Sequence, residues 1–446
     1  WMSADRSNSS MTLQTNVDVV ADTSRSPAEN DRGIGSVLWR FGPMIYGPTI
    51  LFSLGEGALI PLIPIFAHHL GAGTAAAAAV AAMLVVGQLC GNIPAGWAVA
   101  RFGERWSMVA GGAAALLGIV GLILSPDILL MSVSVFVLGF CAAVFALARQ
   151  TFMTTRVPLS FRARSLSLLG GSFRLGTFVG PFVAAALLGL SGSEDATLWF
   201  AFACLVGVVA LVAFGPEPER AAAAALAGAR PASSDDRAPV EDADTGEAVT
   251  GSIPVEERSG VWHTMWKHRT VLSRLGLAAA SLSAVRSARQ IVLPLWGVSI
   301  GLDAQTIALV VGVSGAIDFA LFYASGQVMD RFGRLWAALP AMLLMGGGFL
   351  ALSFTHDTPT AELWFAMFAA VLGVGNGLSS GILLTLGADV APPVDPAAFL
   401  GSWRTLTDAG GAVAPLIFSG LTALWSLAWA TGAMGVLGLE IGRAHV

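Results

Sequence analysis

Residues 96–103 read GWAVARFG and residues 326–333 read GQVMDRFG. Both stretches begin with Gly and end with Arg-Phe-Gly at the same spacing. We call the difference between their residue numbers, 326 − 96 = 230, the repeat offset. Working outward, the same offset relates Pro64 to Pro294, Gly71 to Gly301, and GSFR at 171–174 to GSWR at 401–404. Chance similarity between apolar segments would not keep one register over this length. The sequence therefore predicts two homologous halves.

Each half contains six apolar runs of the length that crosses a bilayer, which takes about 20 mostly apolar residues. In the first half they lie near 43–67, 75–99, 107–125, 128–149, 165–190 and 196–215. In the second half they lie near 275–299, 304–328, 335–355, 362–386, 397–420 and 422–439. The predicted fold class is all-α integral membrane, with about twelve transmembrane helices in two pseudo-symmetric six-helix bundles, residues 37–215 and 263–439.

The composition points to the same class of protein. Hydrophobic residues make up 55% of the chain and charged residues 12%, and the mean hydropathy is +0.72. This is more apolar surface than a soluble core buries, which argues against a soluble enzyme. The net charge of -5 offers no basic surface for nucleic acid. We expect membrane lipid as a partner, and no cofactor or metal site.

Two polar segments divide the chain. Residues 1–36 and 216–262 are rich in small, polar and acidic residues, and are predicted to be a disordered tail and linker. Residues 440–446 (EIGRAHV) look like translated adapter sequence and are expected to be non-native. Arginines occupy alternate connections between the apolar runs: Arg101, Arg105, Arg156, Arg162, Arg164, Arg331 and Arg334. By the positive-inside rule, the linker and both termini lie on the cytoplasmic side of the plasma membrane.

Ionisable residues inside the apolar runs are the main candidates for function, because each costs about 2.5 to 3.5 kcal/mol to insert at a helix centre. Glu56 lies mid-span, and the repeat offset pairs it with Arg286 in the seventh run. We expect both to face one shared cavity, in a charged layer with Arg289 and Asp318, which can carry a substrate or a proton. The alternative is a set of static ion pairs that hold the halves together.

Other polar residues in the runs extend this set of candidates. They are Gln88, Gln290, Arg174, Arg404 and Asp408. Arg404 and Asp408 are four residues apart on one helical face, where they can also simply neutralise each other.

The loop motif carries a family resemblance. GQVMDRFGR, residues 326–334, resembles the signature between helices two and three of the major facilitator superfamily, repeated there between helices eight and nine. The first-half copy departs from it, with Ala100 in place of Asp and Glu104 in place of a basic residue. The resemblance implies a monomeric transporter and a gating role for these loops. The residues concerned are Gly96, Arg101, Gly103, Arg105, Gly326, Asp330, Arg331, Gly333 and Arg334.

A second motif bears on the direction of transport. Residues 176–181 (GTFVGP) are similar to the GxxxGP motif of the family's antiporters, although Ala184 and Ala185 replace its closing glycines. This implies gating by Gly176, Gly180 and Pro181, and export. Against export, the fourth run lacks the mid-span arginine of many drug antiporters, with Arg149 interpreted as lying at the cytoplasmic end.

The leading hypothesis is a proton-coupled exporter of small amphipathic molecules, in which Glu56 or Asp318 exchanges a proton for substrate. One alternative is an uptake symporter or facilitator for a sugar, organic acid or peptide, with Arg286 and Arg289 as ligands for an anion. Another is a non-transporting membrane receptor or scaffold that signals through the linker.

Overall fold

The computed structural model describes residues 45–156, 159–215, 266, 268–390 and 396–444, apart from the side chains at 154–167, 323, 330, 384, 388, 396–398, 401 and 441–444. The predicted tail (1–36) and linker (216–262) lie outside the described residues, as do the last two residues of the predicted non-native tail. The described residues form helices joined by short turns, with no strand among them.

The first half consists of α1 (Gly47–Leu59), α2 (Ile63–His69), α3 (Thr74–Ile123), α4 (Ile128–Arg156), α5 (Leu159–Ser191) and α6 (Asp195–Phe214). A 3₁₀ turn, Ile60–Leu62, joins α1 to α2, where Pro61 and Pro64 remove two backbone donors. These three elements make up the first predicted span. The second and third predicted spans both lie within the range of α3. The chain turns between them at Gly103, which takes a φ of 77°.

The second half consists of α7 (Arg269–Val271), α8 (Leu277–Ser299), α9 (Ala304–Phe332), α10 (Leu335–Ser353), α11 (Ala361–Leu378), α12 (Ile382–Val390), α13 (Pro396–Leu424) and α14 (Leu427–Ala444). A π-helical turn, Leu272–Gly276, joins α7 to α8. The tenth span, expected to be continuous over 362–386, is interrupted between α11 and α12. The interruption ends at Gly381, whose φ of 84° does not fit a right-handed helix.

The sequence repeat is also a backbone repeat. Gly71 and Gly301 take φ values of 82° and 80°, and Gly103 and Gly333 take 77° and 94°. The members of each pair are related by the repeat offset, and each lies in a turn that glycine adopts most readily. The two halves therefore reverse direction at equivalent points.

Helix packing follows the same symmetry. Within the first half α1 packs on α5, and within the second half the equivalent helices α8 and α13 pack together. Between the halves α5 packs on α9, and the equivalent contact joins α13 to α3. The interface between the halves thus has two matching sides, with α1 and α8 close to its centre.

Exposed tryptophans mark two levels of the molecule. Trp106 and Trp336 are exposed beside the Gly103 and Gly333 turns, and Trp199 and Trp429 are exposed near the starts of α6 and α14. The repeat offset again relates the members of both pairs. Tryptophan is enriched where a transmembrane helix meets the headgroup region, so the pairs fit two membrane surfaces.

Nine helices among the described residues are long and apolar enough to cross a membrane, counting α1 with α2 once and the two-span α3 once. α8, which carries Arg286 and Arg289, is not among them. The architecture is an all-α membrane bundle of two six-helix halves, as the sequence predicts.

Candidate functional site

A cavity of about 240 Å³ lies between the two halves. The first half contributes residues of α1 and α5, and the second half contributes residues of α8, α9 and α11. Among the described residues that line it, the charged ones are Arg174, Arg286, Arg289 and Asp318. Gln290 lines it as well, and is exposed although it lies within a predicted span. We call this space the central cavity.

Asp318 on α9 is the acidic group of the central cavity. Its Oδ2 accepts a hydrogen bond of 2.6 Å from Asn376 Nδ2 on α11 and lies 3.6 Å from Arg289 Nη2 on α8. Its Oδ1 is 3.9 Å from Arg174 Nη1 on α5 and accepts no hydrogen bond from the part of the chain that the structure describes. One carboxylate therefore interacts with arginines of both halves.

Arg286 and Arg289 lie about one turn apart on α8 and have different partners. Arg286 Nη1 donates to the carbonyl oxygen of Ser379 at 3.1 Å, and Arg289 Nη1 donates to Ser314 Oγ at 2.8 Å. The Ser379 carbonyl is available because α11 ends just before it, and the last carbonyls of a helix have no partner within the helix. The interruption of the tenth span thus supplies an acceptor for Arg286.

Arg174 reaches the central cavity from the other half. Its Nη1 donates to Ser380 Oγ at 2.9 Å, and its guanidinium lies 4.2 Å from the centroid of the Phe322 ring. Both partners belong to the second half, so Arg174 crosses the interface.

Glu56 lines a different and smaller cavity, of about 30 Å³, inside the first half. Such a space holds about one water molecule. Its other lining residues are apolar, and include Phe52, Leu59 and Leu84. Gln88 Nε2 donates to Glu56 Oε1 at 3.3 Å.

Arg149 is the cationic neighbour of Glu56, with which it interacts electrostatically. It is 5% exposed, its Nε donates to the Phe145 carbonyl oxygen at 3.2 Å, and its guanidinium lies 5.7 Å from the Phe173 ring centroid. Arg149 is 21 residues, or roughly 31 Å, from the start of α4 and seven residues from its end at Arg156. Its position near the cytoplasmic end of the fourth span stays a prediction.

The structure thus separates residues that the sequence placed in one charged layer. Glu56 lies apart from Asp318 and the two arginines of α8, so the expectation that Glu56 and Arg286 share a cavity is wrong. The next residue, Gly57, does line the central cavity. α1 therefore runs between the two cavities: Glu56 and three other residues of α1 line the small cavity, and Gly57 lines the central cavity.

Arg404 and Asp408 form a second polar cluster across the interface. Arg404 Nε lies 3.7 Å from Asp408 Oδ2, as the i, i+4 spacing predicts. Each also contacts the first half: Arg404 Nη1 donates to Gln150 Oε1 at 3.2 Å, and Asp408 Oδ2 accepts from Asn92 Nδ2 at 3.4 Å. Neither residue lines the central cavity among the described residues.

The loop residues assigned to gating lie near one face, where α6 ends and α7 begins, which we call the linker side. Arg105 hydrogen-bonds three carbonyls at the end of α6: Val212 at 3.1 Å, Ala213 at 2.7 Å and Gly215 at 3.2 Å. It therefore caps a helix C-terminus within its own half.

The second-half loop is held differently. Arg334 Nε donates to Asp389 Oδ2 at 2.9 Å, and its Nη1 donates to the Met329 carbonyl oxygen at 3.3 Å. The Arg334 hydrogen bonds hold the pKa of the Asp389 carboxyl below its usual range. Arg331 lies 5.7 Å from the Phe332 ring centroid, and the Asp330 side chain is outside the described residues.

The remaining gating candidates are glycines, Arg101 and Pro181. Arg101 is exposed. Gly103 and Gly333 make the turns, whereas a Cβ added at Gly326 would meet no described atom within 4 Å, and one at Gly96 would meet only a Leu147 methyl at 3.8 Å. Close helix approach is thus not what these two glycines provide.

Gly176 and Gly180, by contrast, allow α5 to lie close to α1. An added Cβ at Gly176 would lie 2.8 Å from the Ile50 carbonyl oxygen, and one at Gly180 would lie 2.6 Å from the Ala58 nitrogen. Pro181 lines the central cavity one residue further on.

Asn376 was not among the residues that the sequence indicated. It belongs to GVGNG, residues 373–377, which reads as a helix-packing motif. Gly373 and Gly377 do pack closely on the backbone of α9, at Ser314 and Asp318. The available signal was a lone amide in an apolar run, which is uncommon unless it has a polar partner.

A sequence model of the Major Facilitator Superfamily matches residues 48–415. The chain belongs to the major facilitator superfamily. It is therefore a multi-pass membrane transporter, and Glu56, Asp318 and the central cavity are features of a transport protein. No curated protein matches its sequence.

Solved structures with the same fold include two transporters. One is a POT family transporter in complex with a thioalcohol-conjugated peptide, with a TM-score of 0.68, 11% identity, and coverage of 92% of this chain and 95% of that chain. The other is a mutant of the peptide transporter POT in complex with sulfate, with a TM-score of 0.63, 14% identity, and coverage of 90% and 94%. At these identities the likeness concerns the fold alone.

Proposed function

We propose that this transporter is a proton-coupled exporter of small amphipathic molecules, with the central cavity as its substrate site and Glu56 as its proton carrier. The observation that carries the proposal is the position of α1. It presents Gly57 to the central cavity and Glu56 to the small apolar cavity, so one helix contacts a substrate site and a separate ionisable site.

The surroundings of Glu56 support a proton-carrying role. A carboxylate in a transmembrane helix is costly and marks proton relays in many transporters. Gln88 and Arg149 stabilise the charged form of Glu56, whereas the apolar lining favours the neutral form. A carboxyl group in an apolar pocket with one hydrogen-bond donor beside it can be charged or neutral, as a proton carrier requires.

The contacts also offer a route by which protonation can act on the substrate site. Protonating Glu56 removes the charge that attracts Arg149, whose guanidinium lies over Phe173. Phe173 and Arg174 line the central cavity. A shift of Arg149 is therefore passed to α5, and α5 lies in close contact with α1 at Gly57 and Gly180.

Export is supported by the GTFVGP motif alone. Uptake is the second candidate, and two observations favour it: arginines line the central cavity, and the fold resembles that of a peptide transporter. Asp318 is the alternative proton carrier, since its Oδ1 accepts no hydrogen bond from the described residues.

The test uses inside-out membrane vesicles with an acidic interior and a panel of amphipathic compounds. A substrate exchanged for protons collapses the pH gradient. We expect this collapse with the wild type and its loss with Glu56→Gln, which keeps the shape of the side chain but cannot ionise. Glu362→Gln is the matched control, because Glu362 is an exposed carboxylate in the first turn of α11.

Each outcome has a distinct meaning. If the pH gradient collapses as fast with Glu56→Gln as with the wild type, the assignment of the proton role to Glu56 is overturned and the role moves to Asp318. If no compound collapses the gradient with the wild type, proton-driven export is rejected and uptake or facilitated diffusion takes its place.

A further inference from the structure

We infer that the central cavity selects small organic anions, molecules with a carboxylate or similar oxyanion group attached to an apolar body. This deepens the proposed function, on which it rests. The anionic group is bound by Arg286 and Arg289, and the apolar body lies against phenylalanines of α5 and α9.

The charge of the cavity is the first observation. Three arginines and one aspartate are the charged groups among its described lining residues. Arginine stays protonated in proteins, so the cavity carries at least two unbalanced positive charges. Such charges are expensive inside a membrane, and an anionic ligand offsets that cost.

The second observation is the unused hydrogen-bonding capacity of Arg289. A guanidinium has five N–H donors arranged to match an oxyanion. The Nε of Arg289 is buried and donates to no acceptor in the part of the chain that the structure describes. Its Nη2 is 3.6 Å from Asp318 Oδ2, which is too long for a strong hydrogen bond. Arg289 therefore has donors to offer to a ligand.

The rest of the lining defines the other end of the ligand. Phe178 of α5 and Phe319 of α9 stack across the interface with ring centroids 5.3 Å apart, and Leu293 and Val311 lie on the same cavity. The volume of about 240 Å³ is just below the usual range of ligand sites, roughly 300 to 1,000 Å³. A small molecule with one apolar or aromatic group fits these dimensions.

Asp318 has a defined place in this site. Its Oδ2 lies beside Arg289, so an incoming anion competes with the carboxylate for the same guanidinium. Asn376 holds that oxygen at 2.6 Å and keeps the carboxylate in position when the arginine turns to the ligand. Removing the charge of Asp318 should therefore strengthen anion binding.

The experiment measures binding to the purified full-length protein in detergent, without any pH gradient. The probes are phenylalkyl carboxylates of increasing chain length, from phenylacetate to phenylhexanoate, with the alcohol and amine of each length as neutral and cationic counterparts. We expect at least one carboxylate to bind about tenfold more tightly than both counterparts, since one charged hydrogen bond is worth that much.

Variants locate the effect. Arg289→Gln should abolish the preference for carboxylates, Arg289→Lys should keep part of it, and Asp318→Asn should increase affinity. Arg274→Gln is the control, because Arg274 is an exposed arginine on the π-helical turn. Equal binding of alcohol, amine and carboxylate by the wild type would overturn the inference, as would a preference that survives in Arg289→Gln. The wild-type comparison stands even if a variant does not fold.

Glu56→Gln separates this inference from the proposed function. Carboxylate binding by Glu56→Gln, with no gradient collapse by the wild type, keeps the anion site and rejects proton exchange. Gradient collapse by amines rather than carboxylates, in vesicles that contain the wild type and not in vesicles without the protein, keeps proton exchange and rejects the anion site.

Discussion

Arg174 and Arg404 make equivalent hydrogen bonds across the interface from opposite halves. Arg174 Nη1 donates to Ser380 Oγ at 2.9 Å, and Arg404 Nη1 donates to Gln150 Oε1 at 3.2 Å. The repeat offset relates the two donors to each other and the two acceptors to each other. The repeat thus places one arginine contact on each side of the interface, between the fifth and tenth spans and between the eleventh and fourth.

Replacing Arg404 should loosen the linker side without changing the central cavity, which Arg404 does not line among the described residues. The lost hydrogen bond is worth about 1 kcal/mol, or roughly a fivefold change in the ratio of molecules whose halves are in contact here to molecules whose halves are apart. We expect Arg404→Gln to lower the population in which the halves are in contact. Spin labels at the exposed residues Ala100 and Leu335, in a Cys90→Ala background, would measure the distance between the halves.

The matched control for Arg404→Gln is Arg274→Gln, an exposed arginine on the same side of the molecule. Its distance distribution should equal that of the parent protein. A distribution that stays unchanged in Arg404→Gln would show that the contact does not hold the halves together.

Gly57 should not tolerate alanine, because of its position against α5. An added Cβ would lie 2.8 Å from the Thr177 carbonyl oxygen and 2.9 Å from Thr177 Cα, both backbone atoms. α1 and α5 must then separate, and overpacking of this kind costs about 1 to 3 kcal/mol. Thermal unfolding in detergent should show a lower midpoint for Gly57→Ala.

Gly170 provides the comparison for Gly57. It is an exposed glycine of α5, and an added Cβ there meets no described atom within 4 Å. Gly170→Ala should be neutral or stabilising, by up to about 1 kcal/mol of helix propensity. Equal midpoints for the two variants would remove the packing explanation.

The fold was predictable because its signals are local and repeated. Runs of about 20 apolar residues specify spans in any context. The constant repeat offset predicted two equivalent halves, and the paired φ values of Gly103 and Gly333 agree with it. The break at Gly381 was not predicted, although residues 376–381 read NGLSSG, a cluster of small and polar residues typical of turns, because the run around it is long and apolar enough to be taken as one span.

The candidate site was predictable only in part. Insertion cost identified Asp318, Arg286 and Arg289, which the structure brings to one cavity. Neither insertion cost nor the repeat could separate Glu56 from these residues. The repeat predicts how deep a residue lies along its helix, but not which side of the helix faces the other half.

Asp303 should contribute a pH-dependent stabilisation as the N-cap of α9. Its carboxylate accepts hydrogen bonds from the Thr306 side chain at 2.6 Å and the Thr306 backbone nitrogen at 3.0 Å, which lower the pKa of Asp303. Asp303→Ala should cost about 1 kcal/mol near neutral pH. Because the folded pKa lies below the unfolded value of about 3.9, this stabilisation is present above that pH and is lost as the pH falls through the folded pKa.

Asp303→Asn tests the origin of that pH dependence. Asparagine caps helices about as well as aspartate but does not titrate. Unfolding midpoints between about pH 7 and 3 should show the wild type and Asp303→Ala converging on acidification. Asp303→Asn should keep a constant advantage over Asp303→Ala. Parallel curves for wild type and Asp303→Asn would mean that the cap does not depend on the charge.

Export of a monovalent anion in exchange for one proton should be strongly electrogenic. A proton that enters and an anion that leaves each move the equivalent of one positive charge into the cell. Each such movement contributes about 2.3 kcal/mol of driving force per 100 mV of membrane potential. Together they support a gradient of roughly two-thousandfold at that potential, against about fiftyfold for a neutral substrate. Proteoliposomes clamped with potassium and valinomycin should show carboxylate transport that responds to voltage about twice as steeply as transport of the matched alcohol. Uptake of the anion together with one proton moves no net charge, so transport that ignores the potential would reject export and favour symport through the same arginine site.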